Sequence, residues 1–308
     1  MTEPHQPSES PAHGAGDSVW SIPRALLKAC RPRQWVKNVL VLAAPVAGGV
    51  LAHWDKLALG VLGMVAFILA SSAVYLINDI VDVELDRAHP TKRNRPIAAG
   101  LLPIPLAWAA AVVLLVGAPA LALLANWHLS AVIVIYLVLS LAYSLRLKAE
   151  PVIELFLVAS GFLLRAIAGG VATGIDLSHW FVLTAGFGSL FVAAGKRYGE
   201  LHRLQAGLLS RTRPVLEHYT TTYLRFVWTV SAGAVCLTYA QWALSRFGDQ
   251  QRLWTTLSIV PFIMALMRYA VDVDRGEGGE PEEIILKDRQ LIVLGALWVL
   301  SLGIAVYL

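Results

Sequence analysis

Asn78, Asp79, Asp82 and Asp86 lie in the stretch NDIVDVELD, directly after the apolar run Leu57 to Ile77. On a helix, Asn78, Asp82 and Asp86 are spaced i, i+4, i+8, and Asp79 to Asp82 is i, i+3. That spacing predicts one broad shared face. Carboxylates gathered at the mouth of a bilayer repel one another and lose hydration, and a bound divalent cation removes both penalties. Oxygen ligands of this kind suit Mg²⁺, which binds through one or two carboxylates together with substrate phosphates. The plainer reading of the same four residues is a solvated acidic cap just outside a membrane.

The next segment, HPTKRNRPIAAG, crowds Lys92, Arg93 and Arg95 between Pro90 and Pro96. Arginine forks and lysine point charges are the usual partners of phosphate. Acids and bases in one short segment point to a metal–phosphate ligand gripped from both sides. A topology signal alone would explain the bases but not the adjacent acids. Further polar groups sit at the ends of apolar runs: Lys37 in RPRQWVKN, Tyr143 and Lys148, Lys196, Arg197 and Glu200 in GKRYGE, Arg225 and Arg268. Arg225 and Arg268 are read as snorkelling to headgroups. Arg165 stands deeper, roughly 20 Å along its apolar segment at helical rise. A charge at that depth must face a cavity or pair with Glu154 or a backbone carbonyl. The stretch GGVATG, Gly169 to Gly174, permits close backbone approach.

The elements that must carry these groups are membrane helices. The 308 residues are 57% hydrophobic and 15% charged, with a mean hydropathy of +0.62. The apolar pattern predicts an all-α, polytopic membrane protein with nine spans, at 36–52, 57–79, 103–125, 128–146, 152–173, 179–196, 220–244, 254–272 and 290–308. Each approaches the ~20 residues a helix needs to cross the hydrocarbon core. Residues 1–20 are polar and read as a disordered tail, leaving 21–308 as one transmembrane catalytic domain. No short apolar leader with a cleavage site precedes the first span.

Arg24, Lys28, Arg31, Arg33 and Lys37 precede the first span, and basic clusters follow the second, fourth, sixth and eighth. The opposite face holds only Lys56, Arg246 and Arg252. The positive-inside rule therefore places the N-terminus, the long loops 80–102, 197–219 and 273–289, and the site itself on the cytoplasmic face of the cell (inner) membrane. The acids Asp272 to Glu283 are read as a solvated loop. Cys30 and Cys236 are placed too far apart for a disulfide. The net charge of +4 is explained by anionic lipid or substrate, without nucleic acid.

NDIVDVELD resembles the NDxxDxxxD motif of the UbiA superfamily of intramembrane prenyltransferases. The likeness runs from about residue 25 to near the end, and includes the nine-helix pattern and the tyrosine and lysine after span four. Lys148 lies one position further from Tyr143 than the usual YxxxK spacing. RPRQWVKNVLVLAAP, HPTKRNRPIAAG, RAIAGGVATG and GKRYGELH are similar to the branch that acts on decaprenyl phosphate in actinobacterial cell-wall synthesis. Ordinary members carry a second Asp-rich motif after span six, where this chain has GKRYGE.

The resemblance implies a Mg²⁺-dependent transfer of 5-phosphoribosyl from phosphoribosyl pyrophosphate to a polyprenyl (decaprenyl) phosphate, for arabinan precursor synthesis. It implies Asn78, Asp82 and Asp86 as metal ligands, with Asp79 assisting. Lys92, Arg93 and Arg95 would hold donor phosphates, and Lys196, Arg197 and Glu200 would close over the ribose phosphate. Lys37, Tyr143, Lys148 and Arg165 would hold the pyrophosphate or the acceptor phosphate, with Asp82, Asp86 and Lys37 closest to the chemistry. Two other readings are an aromatic polyprenyltransferase of quinone synthesis and a cation-coupled transporter or lipid flippase. Prenyl length and assembly into a homo-oligomer are left open.

Overall fold

The computed structural model describes residues 16–207, 214–245, 249–276 and 281–308. The described residues are helical, with no strand among them. Helix α1 (Gly16–Ala29) leads into a 3₁₀ helix, Pro32–Leu42, and the short α2 (Ala43–Ala47). Then come α3 (Trp54–Val81), α4 (Val83–Arg87), α5 (Ile104–Leu123), α6 (Trp127–Leu145) and α7 (Ile153–Thr173). The chain continues through α8 (His179–Gln205), α9 (Thr221–Ser245), α10 (Asp249–Asp274), α11 (Pro281–Lys287) and α12 (Arg289–Tyr307). Six of these, α3, α5, α6, α7, α10 and α12, contain a stretch long and apolar enough to cross a membrane. Helices α8 and α9 have 27 and 25 residues but fall outside that set among the described residues, being more polar along their length.

Local chemistry sets the helix ends. Asn126 caps α6 by accepting from Leu129 N–H at 2.8 Å. Asp288 caps α12 by accepting from Gln290 and Leu291 N–H at 2.6 and 3.1 Å. Each cap satisfies donors that the first turn leaves open.

Polar ties show which ends meet. At one end of the bundle Lys56 Nζ donates to Thr173 O at 2.8 Å, and Asn126 Nδ2 donates to Val171 O at 2.9 Å. Tyr307 Oη donates to Val46 O at the same end. Trp54, Trp127, Trp180 and Trp254 are all exposed near the helix starts at this end. Amphipathic rings in such a row suit a headgroup belt. At the opposite end Lys148 meets Asp82, Arg197 meets Glu154, and Arg268 meets Asp288. Every group of the acid motif lies at this second end.

The first expected span, 36–52, is not a regular α-helix. Eleven residues wind as 3₁₀ before α2 adds five. At a rise of about 2.0 Å per 3₁₀ residue and 1.5 Å per α residue, these sixteen residues extend about 30 Å. That matches the hydrocarbon core of a bilayer. The narrow segment lies in a groove lined by glycines. A Cβ on Gly169 would stand 1.7 Å from Val41 O, and one on Gly63 would touch the Val41 side chain at 3.4 Å. Residues 1–15 of the expected tail lie outside the described residues, and residues 16–20 are helical instead. The expected loop at 197 is helix as far as Gln205, and the loop at 273–289 holds α11.

Gly169→Ala drives a methyl into the Val41 backbone, which cannot rotate away. Overpacking costs typically 1–3 kcal/mol, and contact with a carbonyl belongs at the upper end. Gly117, on α5, has nothing within 4 Å of an added Cβ. Thermal unfolding in detergent should show a clear loss for Gly169→Ala and none for Gly117→Ala. Equal melting of the two variants would remove Gly169 as the contact that seats the first segment.

Candidate functional site

The acid motif does not stay on one continuous helix. Helix α3 ends at Val81, Asp82 leaves helical geometry at φ −90° and ψ 11°, and α4 resumes at Val83. The break sends the carboxylates in two directions. Asp79 and Asp86 converge on Arg95, whose Nη1 donates to Asp79 Oδ1 at 3.0 Å and Asp86 Oδ2 at 2.6 Å. Asp79 also accepts from Arg31 Nη2 at 2.5 Å. Asp82 turns instead to Lys148, whose Nζ lies 3.0 and 3.3 Å from its two oxygens. The Asp79 and Asp86 side chains are each 3% exposed, while Asp82 is 21% exposed. Burial of this degree requires pairing, and three bases meet three carboxylates. Asn78 is half-buried beside them.

A second cluster closes the same rim. Arg197, on α8, grips Glu154 with two parallel bonds of 2.8 Å, from Nε to Oε1 and from Nη2 to Oε2. Its Nη1 donates to Glu200 Oε2 at 2.9 Å, and Nη2 lies 3.5 Å from Tyr143 Oη. Arg197 and Glu154 are 3% and 0% exposed. The guanidinium is enclosed by protein groups in this structure. Their present bonds tie the starts and ends of α7 and α8 together. Lys196 is half-buried next to them.

Arg165 does not pair with Glu154, which lies eleven residues back on the same helix, about 16 Å away at helical rise. Its Nε donates to Asn38 Oδ1 at 2.8 Å, its Nη1 to Gly161 O at 2.6 Å, and its Nη2 to Tyr136 Oη at 3.1 Å. The guanidinium also lies over the Tyr136 and Phe67 rings, at 4.8 and 5.4 Å from their centroids. It therefore anchors the 3₁₀ segment to α7 one residue after Lys37. Lys37 is half-buried and Arg93 exposed. Neither Arg225 nor Arg268 extends freely to headgroups. Arg225 Nη2 donates to Tyr198 Oη at 2.7 Å, and Arg268 joins Asp272 and Asp288 at 3.1 and 2.6 Å. Asp272 is thus a buried residue of α10 and not part of a solvated loop. Glu277 and Glu280 lie outside the described residues, and both cysteines are free.

Two site residues escape the sequence reading. Arg31 looks there like a topology charge, and Glu154 enters only as a possible partner of Arg165. Backbone geometry sets both apart. The only positive-φ residues other than glycine among those described are Arg31 (φ 54°) and Val152 (φ 67°). Each costs of order 1–3 kcal/mol and persists only where surroundings enforce it. Arg31 is held between the Tyr75 ring, 4.8 Å away, and Asp79. Val152 is held by its N–H donating to Tyr219 Oη at 2.8 Å, which fixes the entry to α7 and thereby Glu154. Burial pushes the Tyr219 hydroxyl up to about 12, so it stays neutral as that acceptor.

The oxygen donors thus point in two directions, each matched by a base. Among the described residues no three His, Cys, Asp or Glu side chains already converge on one metal position. The donor chemistry of Asp79, Asp82, Asp86 and Asn78 nevertheless fits a hard cation completed by phosphate oxygens.

Comparison with known proteins shows relatives over nearly the whole chain. A protein of Mycobacterium tuberculosis named decaprenyl-phosphate phosphoribosyltransferase is 54% identical over 289 residues, covering 91% of this chain and 94% of that protein. Its namesake in Corynebacterium glutamicum is 50% identical, covering 92% of this chain and 87% of that one. A solved UbiA homolog from Archaeoglobus fulgidus, bound to DMAPP and Mg²⁺, superposes with a TM-score of 0.69 at 18% identity. It covers 92% of this chain and 98% of its own. Residues 39–287 match the UbiA prenyltransferase family over most of their length, and the chain belongs to that family.

Proposed function

We propose that the chain transfers 5-phosphoribosyl from phosphoribosyl pyrophosphate to a polyprenyl phosphate, releasing pyrophosphate. The relatives' names point to decaprenyl phosphate as the acceptor. The observation that carries this reading is the chemistry of the second cluster. Where two prenyl-diphosphate metal sites would want acids, Arg197 stands clamped by Glu154 and Glu200 with Lys196 beside it. One acid motif serves one pyrophosphate. The same balance disfavours an aromatic polyprenyltransferase.

The topology fits a multi-pass protein. Nine crossing segments result if the 3₁₀–α2 segment, α8 and α9 cross along with the six apolar helices. The charge bias of the loops supports a cytoplasmic acid end at the cell membrane. Residues 21–308 then act as one domain.

Asn78, Asp82 and Asp86, with Asp79 assisting, would hold Mg²⁺, which when bound would draw charge from the pyrophosphate leaving group. The acceptor phosphate monoester has a second pKa of about 6 and is largely dianionic at neutral pH. It attacks ribose C1 with one of its own oxygens as the C1–O bond to pyrophosphate breaks. No proton moves, so no general base is needed. The protein contributes position and charge. Lys148 has a specific part here. It neutralises Asp82 until an anion arrives, then turns its ammonium to the incoming phosphate and frees the carboxylate. Lys37 and Tyr143 would hold the pyrophosphate or the acceptor phosphate, and a lateral groove between helices would carry the prenyl chain.

Label in the ribose of phosphoribosyl pyrophosphate should enter the lipid fraction when purified protein, Mg²⁺ and decaprenyl phosphate are combined. Label that stays in the aqueous phase, while a prenyl diphosphate reacts, would falsify the assignment. Asp82→Asn should lower Mg²⁺-dependent turnover by about 10²-fold or more, the scale of losing a group acting on developing charge. The Lys148 exchange is checked by calorimetry. Lys148→Gln should bind Mg²⁺ alone several-fold more tightly than the parent protein, and Mg²⁺–pyrophosphate more weakly. Parallel changes in both affinities would contradict it.

A further inference from the structure

A groove of about 510 Å³ opens between the start of α9 and the end of α10, with Phe191 of α8 in its floor. None of its lining residues belongs to the acid motif, to the loop after α4 or to the turn that carries Lys148. We propose that this groove seats one anionic glycerophospholipid of the leaflet that the acid end faces. Its phosphodiester would rest on Arg225 and Arg275, and its upper acyl chain would run along Trp228 and Ala232.

The order of polarity along the helices is the first argument. Arg225 stands in the first turn of α9, and Asp274 and Arg275 stand at the end of α10. Seven residues further along α9, about 10 Å at helical rise, the wall is Ala232. On α10 the wall turns apolar one helical turn back, at Ala270 and Val271. A fitting ligand is charged at the helix ends and apolar further in, which is the order of the bilayer itself. The exposed side chains of Phe226, next to Arg225, and Met267, one turn before Val271, continue the apolar surface outward. A free phosphate or a soluble sugar phosphate would leave those walls uncovered.

Charge is the second argument. Two arginines and one carboxylate line the groove. Asp274 already accepts from Tyr198 Oη at 2.7 Å and lies 3.8 Å from Arg225. Arg275 is exposed and makes no side-chain bond among the described residues. The surplus is one positive charge, the complement of a phosphodiester whose headgroup is otherwise neutral. A phosphate monoester, with nearly two negative charges, would exceed it. Arginine forks match phosphate oxygens in geometry as well as charge.

The third argument is that the groove is already set. Arg225 Nη2 donates to Tyr198 Oη at 2.7 Å, and its guanidinium lies 5.5 Å from the centre of that ring. Trp228 stacks with both Tyr198 and Phe191, at 5.3 and 5.6 Å between centroids. Groups held in place before binding lose little freedom when a ligand arrives.

The test is native mass spectrometry of the purified full chain in detergent. The ligands are dioleoyl phosphatidylglycerol, dioleoyl phosphatidylcholine and inorganic phosphate. The parent protein should retain one phosphatidylglycerol in preference to the zwitterionic lipid, and inorganic phosphate should not displace it. Arg275 and Thr229 are exposed, so Arg275→Gln and Thr229→Phe leave the core untouched. Arg275→Gln should weaken phosphatidylglycerol about fivefold, the scale of one arginine at an anionic lipid surface. Thr229→Phe fills the groove with its charges intact and should weaken the same lipid. Arg289→Gln removes an exposed charge at the start of α12, outside the groove, and should change nothing. Unchanged retention in both groove variants overturns the proposal, and so does equal weakening by Arg289→Gln. Displacement by inorganic phosphate gives the groove to a free anion. A changed oligomeric mass in the groove variants, with the lipid count intact, gives it to a second copy of the chain. Either result overturns the lipid assignment. The measurement involves no turnover, so it stands apart from the transferase reading.

Discussion

A carboxylate at the edge of hydrocarbon must be met by a cation, and the polar end of this bundle is organised around that requirement. Asp79 and Asp86 share Arg95, Asp82 takes Lys148, Glu154 takes Arg197, and Asp272 and Asp288 share Arg268. Several of these pairs join elements far apart in the chain. Buried ion pairs add little net stability over well-packed apolar contacts, because desolvation offsets attraction. Breaking one leaves an uncompensated charge, however, so each pair dictates which helix ends must be neighbours. The apolar faces hold the helices together, and the charges choose the arrangement.

The balance also shapes how the site meets its ligands. With three bases on three carboxylates, the acid motif presents no large negative field to a lone cation. Nor is its basic side unscreened toward a lone anion at Asp82. On the far side of the rim, Arg197 is enclosed by protein groups.

Much of this was legible in the residues. The acid motif stands out because acids rarely follow a long apolar run, and the transmembrane character follows from hydropathy alone. The winding of the first segment was not legible, since hydropathy does not distinguish 3₁₀ from α, and Gly169, which admits its backbone, lies more than a hundred residues away. Arg31 was hidden among other basic residues that satisfy the positive-inside rule equally well. Glu154 and Arg165 lie eleven residues apart on one helix, about 16 Å of rise, and Arg197 takes Glu154 from another helix, a contact that no local pattern reveals. The single-face reading of the acids failed at one residue, Asp82, where the helix breaks.

The 3₁₀ segment has a consequence for how polarity is laid out in depth. At three residues per turn, side chains three apart stack in columns instead of spiralling around the axis. Asn38, Val41 and Ala44 are all buried, and they form the inward column. Gln34 and Lys37 stack in a neighbouring column below Arg31, which caps the segment. An otherwise greasy rod therefore carries a polar stripe that runs straight down one edge, about 12 Å from Arg31 to Lys37. An α-helix of the same sequence would wrap those groups around toward lipid. Here the winding acts as a rail, keeping a line of hydrogen-bonding groups on one side from the headgroup level inward.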